Sequence, residues 1–329
     1  MAKETAKTHK EWEKPLLELE DTIAKLREAA RREADPVKQA NYIEKAETYQ
    51  EQCNRYVKLM YSNLGDWEKV LVARAEKRPY TLDYIQSIFN GFIELQGDRN
   101  GFNDNAIVGG PAEFNGRPVI VLGHQKGRNI QDRQMRNFGM AKPEGYRKAI
   151  RLFEMAERFR MPVISFVDTP AADPGVESES RGISEAIAAA MLKMFQLTVP
   201  TISVIIGEGG SGGAIGIAVS NRVLMLEHAV YSVIPPEGCA AILWRAPERA
   251  PEAAQALQIT AKSALSFGII DEIVSEPEGA AHRDPAGASD LIKEAVVRHL
   301  DELLLLSPSE LYADRHEKFR KLGKFAETL

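Results

Sequence analysis

Two stripes of apolar residues at helical spacing run through the first 62 residues. The members of the first stripe are Leu16, Leu19, Ile23, Leu26 and Ala30. The members of the second stripe are Tyr42, Ala46, Tyr49, Cys53, Tyr56 and Met60. Because a spacing of three and four residues places side chains on one face of a helix, the pattern predicts a hairpin of two helices. We assign residues 1–62 to this hairpin and leave open whether it is a packed structural element or a docking arm.

From about residue 106 the pattern changes to short β-like runs that alternate with helical ones. The predicted strands are 106–114, 117–124, 162–168, 201–207, 222–227 and 231–234. The predicted helices are 144–160, 182–197, 212–220, 251–266 and an amphipathic stretch at 288–325. Asn115-Gly116 marks a hairpin turn, while Pro235-Pro236 and 281–288 are typical of loops. Such alternation predicts an α/β domain, to which we assign residues 63–329.

Composition and charge narrow the class of protein. The chain has 329 residues, of which 44% are hydrophobic and 27% are charged, with a net charge of −5. This acidic balance argues against a dedicated nucleic-acid binder, and the lack of a long apolar run argues against a membrane span. The amino-terminal residues lack the apolar core of a signal peptide. We therefore expect a cytoplasmic protein.

The chain contains few of the cysteine and histidine residues that bind metals or form disulfides. Cys53 and Cys239 are the two cysteines, and they lie far apart in the sequence. Two cysteines cannot form a cysteine-rich zinc site, and none of the six histidines has the spacing of metal ligands. For five of the histidines a surface or core role is expected, and for His124, in the sequence GHQKGR, a functional role stays open beside a structural one. From these residues we expect no metal in this chain.

The segment IGEGGSGGA, residues 206–214, contains five glycines directly after an apolar run. Each glycine inside a regular element costs roughly 0.5–1 kcal/mol relative to alanine, so the run needs a structural or functional reason. A phosphate-binding P-loop is excluded, because that motif requires a lysine after its last glycine. A tight turn that packs a helix on the sheet is one remaining explanation.

Two ligand-binding interpretations also fit the glycine run. Gly207, Gly209 and Gly212 spell the dinucleotide fingerprint G-x-G-x-x-G, with Glu227 near the position of the acid that binds a ribose. Against it, Glu227 lies only fifteen residues beyond Gly212, and an earlier strand–loop–helix unit precedes the run. Alternatively, Gly212 and Gly213 open a helix, and their backbone N–H groups form an oxyanion hole. The acid, base or nucleophile would then come from the substrate, a cofactor or a second chain.

Eight motifs occur in an order that resembles one known family. They are KRPYTLDYI (77–85), AIVGG (106–110), GRPVIVLGHQKGR (116–128), NFGM (137–140), PEGYRKA (143–149), GEGGSGGA (207–214), YSVIPPEGCAAILW (231–244) and GAAHRDP (279–285). Together they resemble the alpha subunit of the carboxyltransferase of bacterial and plastid acetyl-CoA carboxylase. The resemblance covers roughly residues 62–325, and the helical amino terminus also fits the layout of that family.

The resemblance implies a fold and a reaction. The fold would be a crotonase-like (ClpP/crotonase) ββα superhelix with an amino-terminal helical hairpin and carboxyl-terminal helices. In the family, two alpha and two beta subunits join, and the carboxyl group of carboxybiotin passes to acetyl-CoA to give malonyl-CoA for fatty acid biosynthesis. The biotin is carried by a separate carrier protein and is charged by biotin carboxylase. The zinc of the family belongs to the beta subunit.

The resemblance also implies site residues. The N–H groups of Gly212 and Gly213 would face the ureido oxygen of biotin, and the biotin nitrogen would act as the base, which explains why no protein base is evident. Residues 126–151 carry eight basic and two acidic residues. Such a segment would attract coenzyme A phosphates or the carrier protein, although a solvated face or ion pairs between subunits explain it equally well. Further predicted binding residues are Gly209, Gly210, Lys126, Arg128, Arg147, Pro236, Glu237 and Gly238.

Three residues depart from the usual pattern of the family. The segment DTPAADPG has Ala171 where the family has glycine and Asp173 where it has tyrosine, and RGISE has Ile183 where it has glutamine. These departures leave the acyl-CoA preference open, and the sequence does not identify the beta partner. They also motivate two alternatives to the main interpretation, a non-catalytic scaffold paralogue and a subunit of a related acyl-CoA carboxylase. A nicotinamide-dependent oxidoreductase is the third alternative.

Overall fold

The computed structural model describes residues 9–323 of the chain. Within these residues, seven strands form one sheet with helices before, between and after them. The strands are β1 (Ile107–Phe114), β2 (Arg117–His124), β3 (Val163–Thr169), β4 (Thr201–Gly210), β5 (Arg222–Leu226), β6 (Val230–Ser232) and β7 (Glu272–Val274). Residues 1–8 of the predicted hairpin and 324–329 of the predicted second domain lie outside the described part of the chain.

Several of the helices begin at a residue whose side chain caps the first turn. In chain order the α-helices of the described residues are α1 (His9–Arg32), α2 (Pro36–Ser62), α3 (Asp66–Ala73), α4 (Thr81–Ile88), α5 (Ile130–Met135), α6 (Pro143–Phe159), α7 (Val176–Ser180), α8 (Ile183–Gln196), α9 (Ser211–Ile215), α10 (Pro236–Trp244), α11 (Ala250–Leu257), α12 (Ala261–Ser266), α13 (Pro285–Leu303) and α14 (Pro308–Arg320). Asp35 caps α2 by accepting a hydrogen bond from the N–H of Val37 at 2.9 Å, and proline opens several of these helices because its missing N–H is not needed there. Within residues 9–323, every helix is too short or too polar to cross a bilayer.

The sheet combines one hairpin with a parallel array. β1 and β2 pair antiparallel through the turn at Asn115 and Gly116, which have φ of 49° and 77°. Positive φ at both positions is the geometry of a type I′ turn, so the predicted hairpin turn is confirmed. From β2 onward the strands pair parallel, in the order β1-β2-β3-β4-β5-β7.

The central strand β4 changes its neighbour at its carboxyl end. Residues 202–205 pair with β5, whereas Glu208, Gly209 and Gly210 pair with β6. Every residue of β3 and β4 is buried, as expected for parallel strands that are covered on both faces. Helices α4, α6 and α13 pack against the strands. The glycine run therefore leaves the middle of the sheet rather than one of its edges.

The amino-terminal hairpin packs on the rest of the chain. Leu16 and Ile23 of α1 and Val57 of α2 form an apolar cluster that includes Val72 of α3 and Ala280 of the loop before α13. The first predicted stripe is therefore confirmed, since its members are buried or half-buried. The division of the chain into units 1–62 and 63–329 stays a prediction.

The prediction of the second apolar stripe was partly wrong. Tyr49 and Tyr56 are 39% and 38% exposed, whereas Val57 and Tyr61 are buried. The buried residues of α2 are Ala46, Cys53, Val57 and Tyr61, so after Cys53 the buried face continues at intervals of four residues. Both cysteines are free and buried.

Three of the predicted helices and two of the predicted loops also differ from what the structure shows. The helix predicted at 212–220 is only α9, and the one predicted at 251–266 divides into α11 and α12 because Gln258 adopts a left-handed φ of 52°. The stretch 288–325 divides into α13 and α14 at Ser307, whose side chain and that of Glu310 form a reciprocal capping box, and its last two residues lie outside the described part. Pro236 begins helix α10 rather than continuing a loop, and Pro285 likewise begins α13 inside the predicted loop at 281–288. Capping residues decide these ends, and hydrophobic periodicity does not detect them.

Candidate functional site

The glycine run forms a sharp turn from strand β4 to helix α9. Gly210 ends the strand, and Ser211, which is exposed, has a φ of 51°. A non-glycine residue with a positive φ is uncommon and marks a turn that the surrounding fold imposes. Helix α9 then begins, and the first N–H groups of a helix have no partner within it. The turn thus places the N–H groups of Gly212 and Gly213 in the first turn of α9.

Four of the five glycines are required by close packing. A Cβ atom on Gly207 would lie 2.3 Å from Oδ1 of Asp168, and one on Gly209 would lie 2.7 Å from Cδ2 of Tyr231. One on Gly210 would lie 1.9 Å from the carbonyl oxygen of Pro170.

Gly213 is restricted in the same way by the loop after β3. Its Cβ would lie 2.5 Å from the carbonyl carbon of Ala171 and 2.6 Å from the nitrogen of Ala172. Real Cβ atoms do not approach backbone this closely, so this glycine lets helix α9 rest on the loop. The tight-turn explanation therefore accounts for the absence of a side chain at this position.

Gly212 differs from the other four glycines. Its Cβ would meet only the side chain of Ile187, at 3.4 Å from Cδ1, which is ordinary van der Waals contact. Gly212 is also partly exposed, whereas Gly213 is buried. The packing of the described residues leaves room for a side chain at Gly212, so close packing does not account for glycine at this position.

The loop that departs from the family pattern lies directly against this turn. Thr169 Oγ1 donates to the carbonyl of Ala171 at 2.6 Å. The carboxylate of Asp173 accepts a hydrogen bond from Ser178 Oγ at 2.5 Å, and the N–H of Asp173 donates to Ala141 at 3.0 Å. These contacts show that alanine and aspartate are accommodated here by local hydrogen bonds.

Beside the glycine run lies a group of charged side chains, which we call the strand-end cluster: Lys126, Asp168, Glu208 and Arg74. Lys126 Nζ lies 2.7 Å from both Asp168 Oδ1 and Glu208 Oε2. Arg74 Nε donates to Glu208 Oε1 at 2.7 Å, and the N–H of Glu208 donates to Asp168 at 2.9 Å. The cluster joins the carboxyl ends of β2, β3 and β4, the three strands that lead to the site.

Electrostatics hold Lys126 and Glu208 of the strand-end cluster in their charged forms, whereas burial raises the pKa of the Asp168 carboxyl. Burial disfavours the charge on Glu208, but Lys126 and Arg74 outweigh this effect and lower the pKa of its carboxyl to about 2. Burial likewise opposes the charge on Lys126, and the two carboxylates outweigh it and raise the pKa of its ammonium group. A buried ion pair of this kind is costly to break because one charge then remains unpaired.

The structure brings some predicted site residues together and separates others. Lys126 lines a cavity of about 220 Å³ together with Arg74, Tyr80, Phe138 and Glu208. Glu237 reaches the same cluster, because it accepts hydrogen bonds from the guanidinium of Arg74. Pro236 and Gly238 flank Glu237 in the first turn of α10.

Arg128 and Arg147 make other contacts. Arg128 pairs with Asp83, donates to two backbone carbonyls at 2.9 Å and stacks on the ring of Tyr80. Arg147 donates to the carbonyl of Arg181 at 2.7 Å. Both guanidinium groups therefore tie segments of the chain together, and their predicted role in binding coenzyme A or a carrier stays a prediction.

Sequence reasoning missed several residues at this site. The other members of the strand-end cluster were not predicted: Asp168 and Glu208, which pair with Lys126, and Arg74, which pairs with Glu208. A charged residue at the end of a buried strand is itself a signal for such a cluster. Ser211 was also missed, although the run around it spells G-x-S-x-G, a spacing that marks sharp strand-to-helix turns. Among the described residues the Ser211 hydroxyl makes no hydrogen bond to a histidine. His124 is fully buried, and burial together with Lys126 lowers its pKa to about 3, which keeps it neutral.

Comparison with known proteins identifies the family of the chain that contains this site. The family model described as "Acetyl co-enzyme A carboxylase carboxyltransferase-like" matches residues 9–323. The chain belongs to this family. The acetyl-coenzyme A carboxylase carboxyl transferase subunit alpha of Thermus thermophilus is 52% identical over 317 residues, which cover 96% of this chain and 99% of that protein. The subunit alpha of Thermosynechococcus vestitus is 50% identical over 329 residues, the full length of both. This carboxyltransferase family replaces the dinucleotide-binding alternative.

Solved structures show the fold of this carboxyltransferase chain. Transcarboxylase 12S has a TM-score of 0.55 at 22% identity, with 68% of this chain and 42% of that chain covered. The beta subunit of Pseudomonas aeruginosa geranyl-CoA carboxylase has a TM-score of 0.54 at 18% identity, with 80% and 47% covered. This chain thus spans less than half the length of either. The predicted crotonase-like fold is confirmed.

Proposed function

We propose that this chain is the alpha subunit of the carboxyltransferase component of acetyl-CoA carboxylase, and that with a beta subunit it transfers a carboxyl group from carboxybiotin to acetyl-CoA, giving malonyl-CoA. The observation that carries the proposal is the identity of about half of all residues over the full length of alpha subunits. The glycine turn and the strand-end cluster lie within the matched region.

Gly212 and Gly213 are the residues that would hold the biotin ureido oxygen. The fit rests on two features: the N–H groups at the start of α9 have no partner within the helix, and a Cβ on Gly212 would meet only Ile187. The approach to the backbone of Gly212 is therefore unobstructed by this chain. Carboxybiotin supplies the carboxyl group and the base, and the chain supplies the preorganised donors, each worth roughly 3–4 kcal/mol at a developing oxyanion.

The strand-end cluster would keep these donors in place. Glu208 is fixed by Lys126 and Arg74 on one side and by the backbone pairing of β4 with β6 on the other. Gly209 and Gly210 follow it directly, so the position of the turn depends on this strand end. An oxyanion hole requires donors that do not reorganise during the reaction, and a buried ion network provides such rigidity.

The proposal includes partners that lie outside this chain. A beta subunit, in an assembly of two alpha and two beta chains, would complete the active site and carry the zinc of the complex. A biotin carrier protein and biotin carboxylase would supply the carboxyl group, in the cytoplasm. The solved malonate decarboxylase with coenzyme A bound, which has a TM-score of 0.57 to this chain at 17% identity, is itself a hetero-tetramer.

Reconstitution with a beta subunit tests the proposal. The full chain mixed with a beta subunit, a carboxybiotin donor and acetyl-CoA is expected to form malonyl-CoA, and the chain alone is expected to form none. Gly212→Val is expected to leave the complex assembled and to lower the rate about a hundredfold, as for loss of one oxyanion donor. Gly212→Ala, with a smaller side chain, is expected to lower it less. A normal rate with valine would contradict the role of Gly212.

The scaffold paralogue remains as a second candidate because Ala171 and Asp173 lie beside the turn. The same mixture distinguishes it. An alpha–beta complex that assembles on gel filtration and forms no malonyl-CoA would favour the scaffold. Recovery of activity in Asp173→Tyr would then attribute the loss to this loop, and activity with a longer acyl-CoA would instead favour a related acyl-CoA carboxylase.

A further inference from the structure

The amino-terminal hairpin meets the body of the chain at a group of buried polar side chains, which we call the hairpin junction: His9 and Glu13 of α1, Tyr61 of α2 and His282 of the loop before α13. The side chains of Glu13 and His282 are each 5% exposed, and that of His9 is 15% exposed. One ligand atom from each of His9, Glu13 and His282 lies within 4.8 Å of the other two. The arrangement brings together residues 269 positions apart.

The two histidines of the hairpin junction lie at different distances from Glu13. His9 Nε2 lies 3.5 Å from Glu13 Oε2, which is too long for an ordinary hydrogen bond. His282 Nε2 lies 3.2 Å from both Glu13 Oε1 and the Tyr61 hydroxyl, within hydrogen-bond range. Two ligands of one tetrahedral zinc ion are about 3.3 Å apart when each bond is about 2.0 Å. Both distances to Glu13 are close to this value.

Two nitrogen atoms at the hairpin junction lack a partner. His9 Nε2 and His282 Nδ1 are buried and make no hydrogen bond within the described chain. A buried polar atom without a partner costs free energy, and a bound ion is one explanation for such an atom. The unpartnered Nε2 of His9 is directed at the carboxylate that would share the ion.

We propose that His9, Glu13 and His282 bind one divalent transition-metal ion, of which zinc fits best. Two imidazoles and one carboxylate form a known zinc ligand set with one position left open. The Tyr61 hydroxyl, which donates to Glu13 and lies 3.2 Å from His282 Nε2, is beside these ligands, and His9, Glu13 and His282 help to line a cavity of about 1050 Å³. The ion would join α1 to the loop before α13. This proposal departs from the expectation, drawn from sequence spacing, of no metal in this chain.

The positive charge of Arg283, which lies beside the proposed ion, is compensated by Glu20. Arg283 Nη1 lies 3.5 Å from Glu13 Oε1, but the guanidinium forms a closer ion pair with Glu20. An incoming dication therefore meets one carboxylate that Arg283 engages only weakly. The remaining explanation for the hairpin junction is a hydrogen-bond network without an ion, in which Tyr61 and His282 alone orient Glu13.

Metal titration of the full chain, without a histidine tag and without a beta subunit, tests the site. After removal of metal by a chelator, the chain is expected to bind one Zn²⁺ with a rise in its unfolding temperature, since the ion binds the folded state. Co²⁺ is expected to give the visible absorption of a tetrahedral site. Less than one fifth of an equivalent of tightly bound zinc would overturn the proposal and favour the hydrogen-bond network.

Variants separate this site from zinc bound elsewhere. His9→Gln removes a ligand whose Nε2 makes no hydrogen bond, so the fold should persist, and zinc affinity is expected to fall at least a hundredfold. His316→Gln removes an imidazole that lies at the other end of the chain against Tyr312, and it is expected to bind zinc as the unmodified chain does. Binding that is unchanged in His9→Gln, with circular dichroism showing a normal fold, would overturn the proposal.

Discussion

The strand-end cluster and the hairpin junction both place ionisable side chains away from water, but their polar atoms are partnered to different degrees. Lys126 lies 2.7 Å from each of two carboxylates, and no buried polar atom of the cluster lacks a hydrogen bond within residues 9–323. At the hairpin junction, two buried nitrogen atoms of His9 and His282 have no such partner. The first region is complete within the described chain, whereas the second has the composition of a site that takes up an ion.

The two regions meet the cost of burying polar groups in different ways. Burying a charge or a polar atom is unfavourable unless partners replace the lost water. In the strand-end cluster the chain supplies those partners, and the result is a rigid support for the glycine turn. At the hairpin junction a ligand would supply them, so that the attachment of the hairpin depends on conditions outside the chain.

The largest effect is expected from breaking the strand-end cluster at its centre. Lys126→Met leaves Asp168 and Glu208 buried with one positive partner fewer, so it should reduce the free energy of unfolding by about 3–5 kcal/mol. Urea denaturation followed by circular dichroism measures this loss. Lys142→Met is the control, because the pair of Lys142 and Glu177 is largely exposed, and its loss should cost less than about 1 kcal/mol. Equal effects would show that the cluster is not a closed network.

The hairpin can be weakened without touching its polar junction. Leu16 is fully buried, whereas its neighbour Leu17 is 40% exposed. Leu16→Ala should therefore reduce the free energy of unfolding by about 3 kcal/mol, while Leu17→Ala should change it by less than about 0.5 kcal/mol. Denaturation of the two variants side by side checks the prediction. A similar loss in both would mean that α1 packs differently from the arrangement described.

Acid provides a test of the strand-end cluster that needs no large change in packing. The pKa of Glu208 is about 2 in the fold, against an ordinary value of 4.5, so the unfolded chain binds the proton first as the pH falls. The stabilisation, on the order of 3 kcal/mol, is complete above pH 4.5 and is lost between pH 4.5 and 2. In Glu208→Gln this part of the pH dependence should be missing. Parallel stability curves of the two proteins over this range would refute the assignment.

Local patterns in the sequence were sufficient for most of the fold. The strand at 117–124 was predicted with its observed bounds, and the turn at Asn115-Gly116 was confirmed, because alternation, buried runs and turn residues are encoded within a few neighbouring positions. The short helix α9 was predicted too long, since the apolar residues that follow it pack as irregular chain. Helix ends that depend on capping or on a single left-handed residue were missed because hydrophobic periodicity does not detect them.

The sites were predictable only where their residues lie in one motif. The glycine run identified the turn, but Asp168 and Arg74 reach it from other elements, and their contacts depend on the order of the strands in the sheet. The hairpin junction gave no signal, because His9 and His282 come from opposite ends of the chain and no spacing rule connects them. Long-range packing determines both the strand-end cluster and the hairpin junction, and no short stretch of sequence encodes it.

The smallest effects are expected within the glycine run itself, where two adjacent residues give opposite expectations. Gly213→Ala places a methyl group about 2.5 Å from the backbone of Ala171, so helix α9 or the loop must move, and we expect a loss of about 1–3 kcal/mol. Gly212→Ala meets only Ile187, and alanine favours the helix over glycine by up to about 1 kcal/mol, so stability should be unchanged or slightly higher.

Urea denaturation of these two variants, beside the unmodified chain, makes the comparison direct because the substitution is identical and the positions are neighbours. A loss confined to Gly213→Ala would show that the fold requires this glycine and leaves Gly212 unconstrained by packing within the chain. Gly212 would then be the residue at which a fall in the transfer rate reports on a ligand rather than on folding. Equal destabilisation of both variants would remove that distinction, because the whole run would then be explained by the packing of α9 on the sheet.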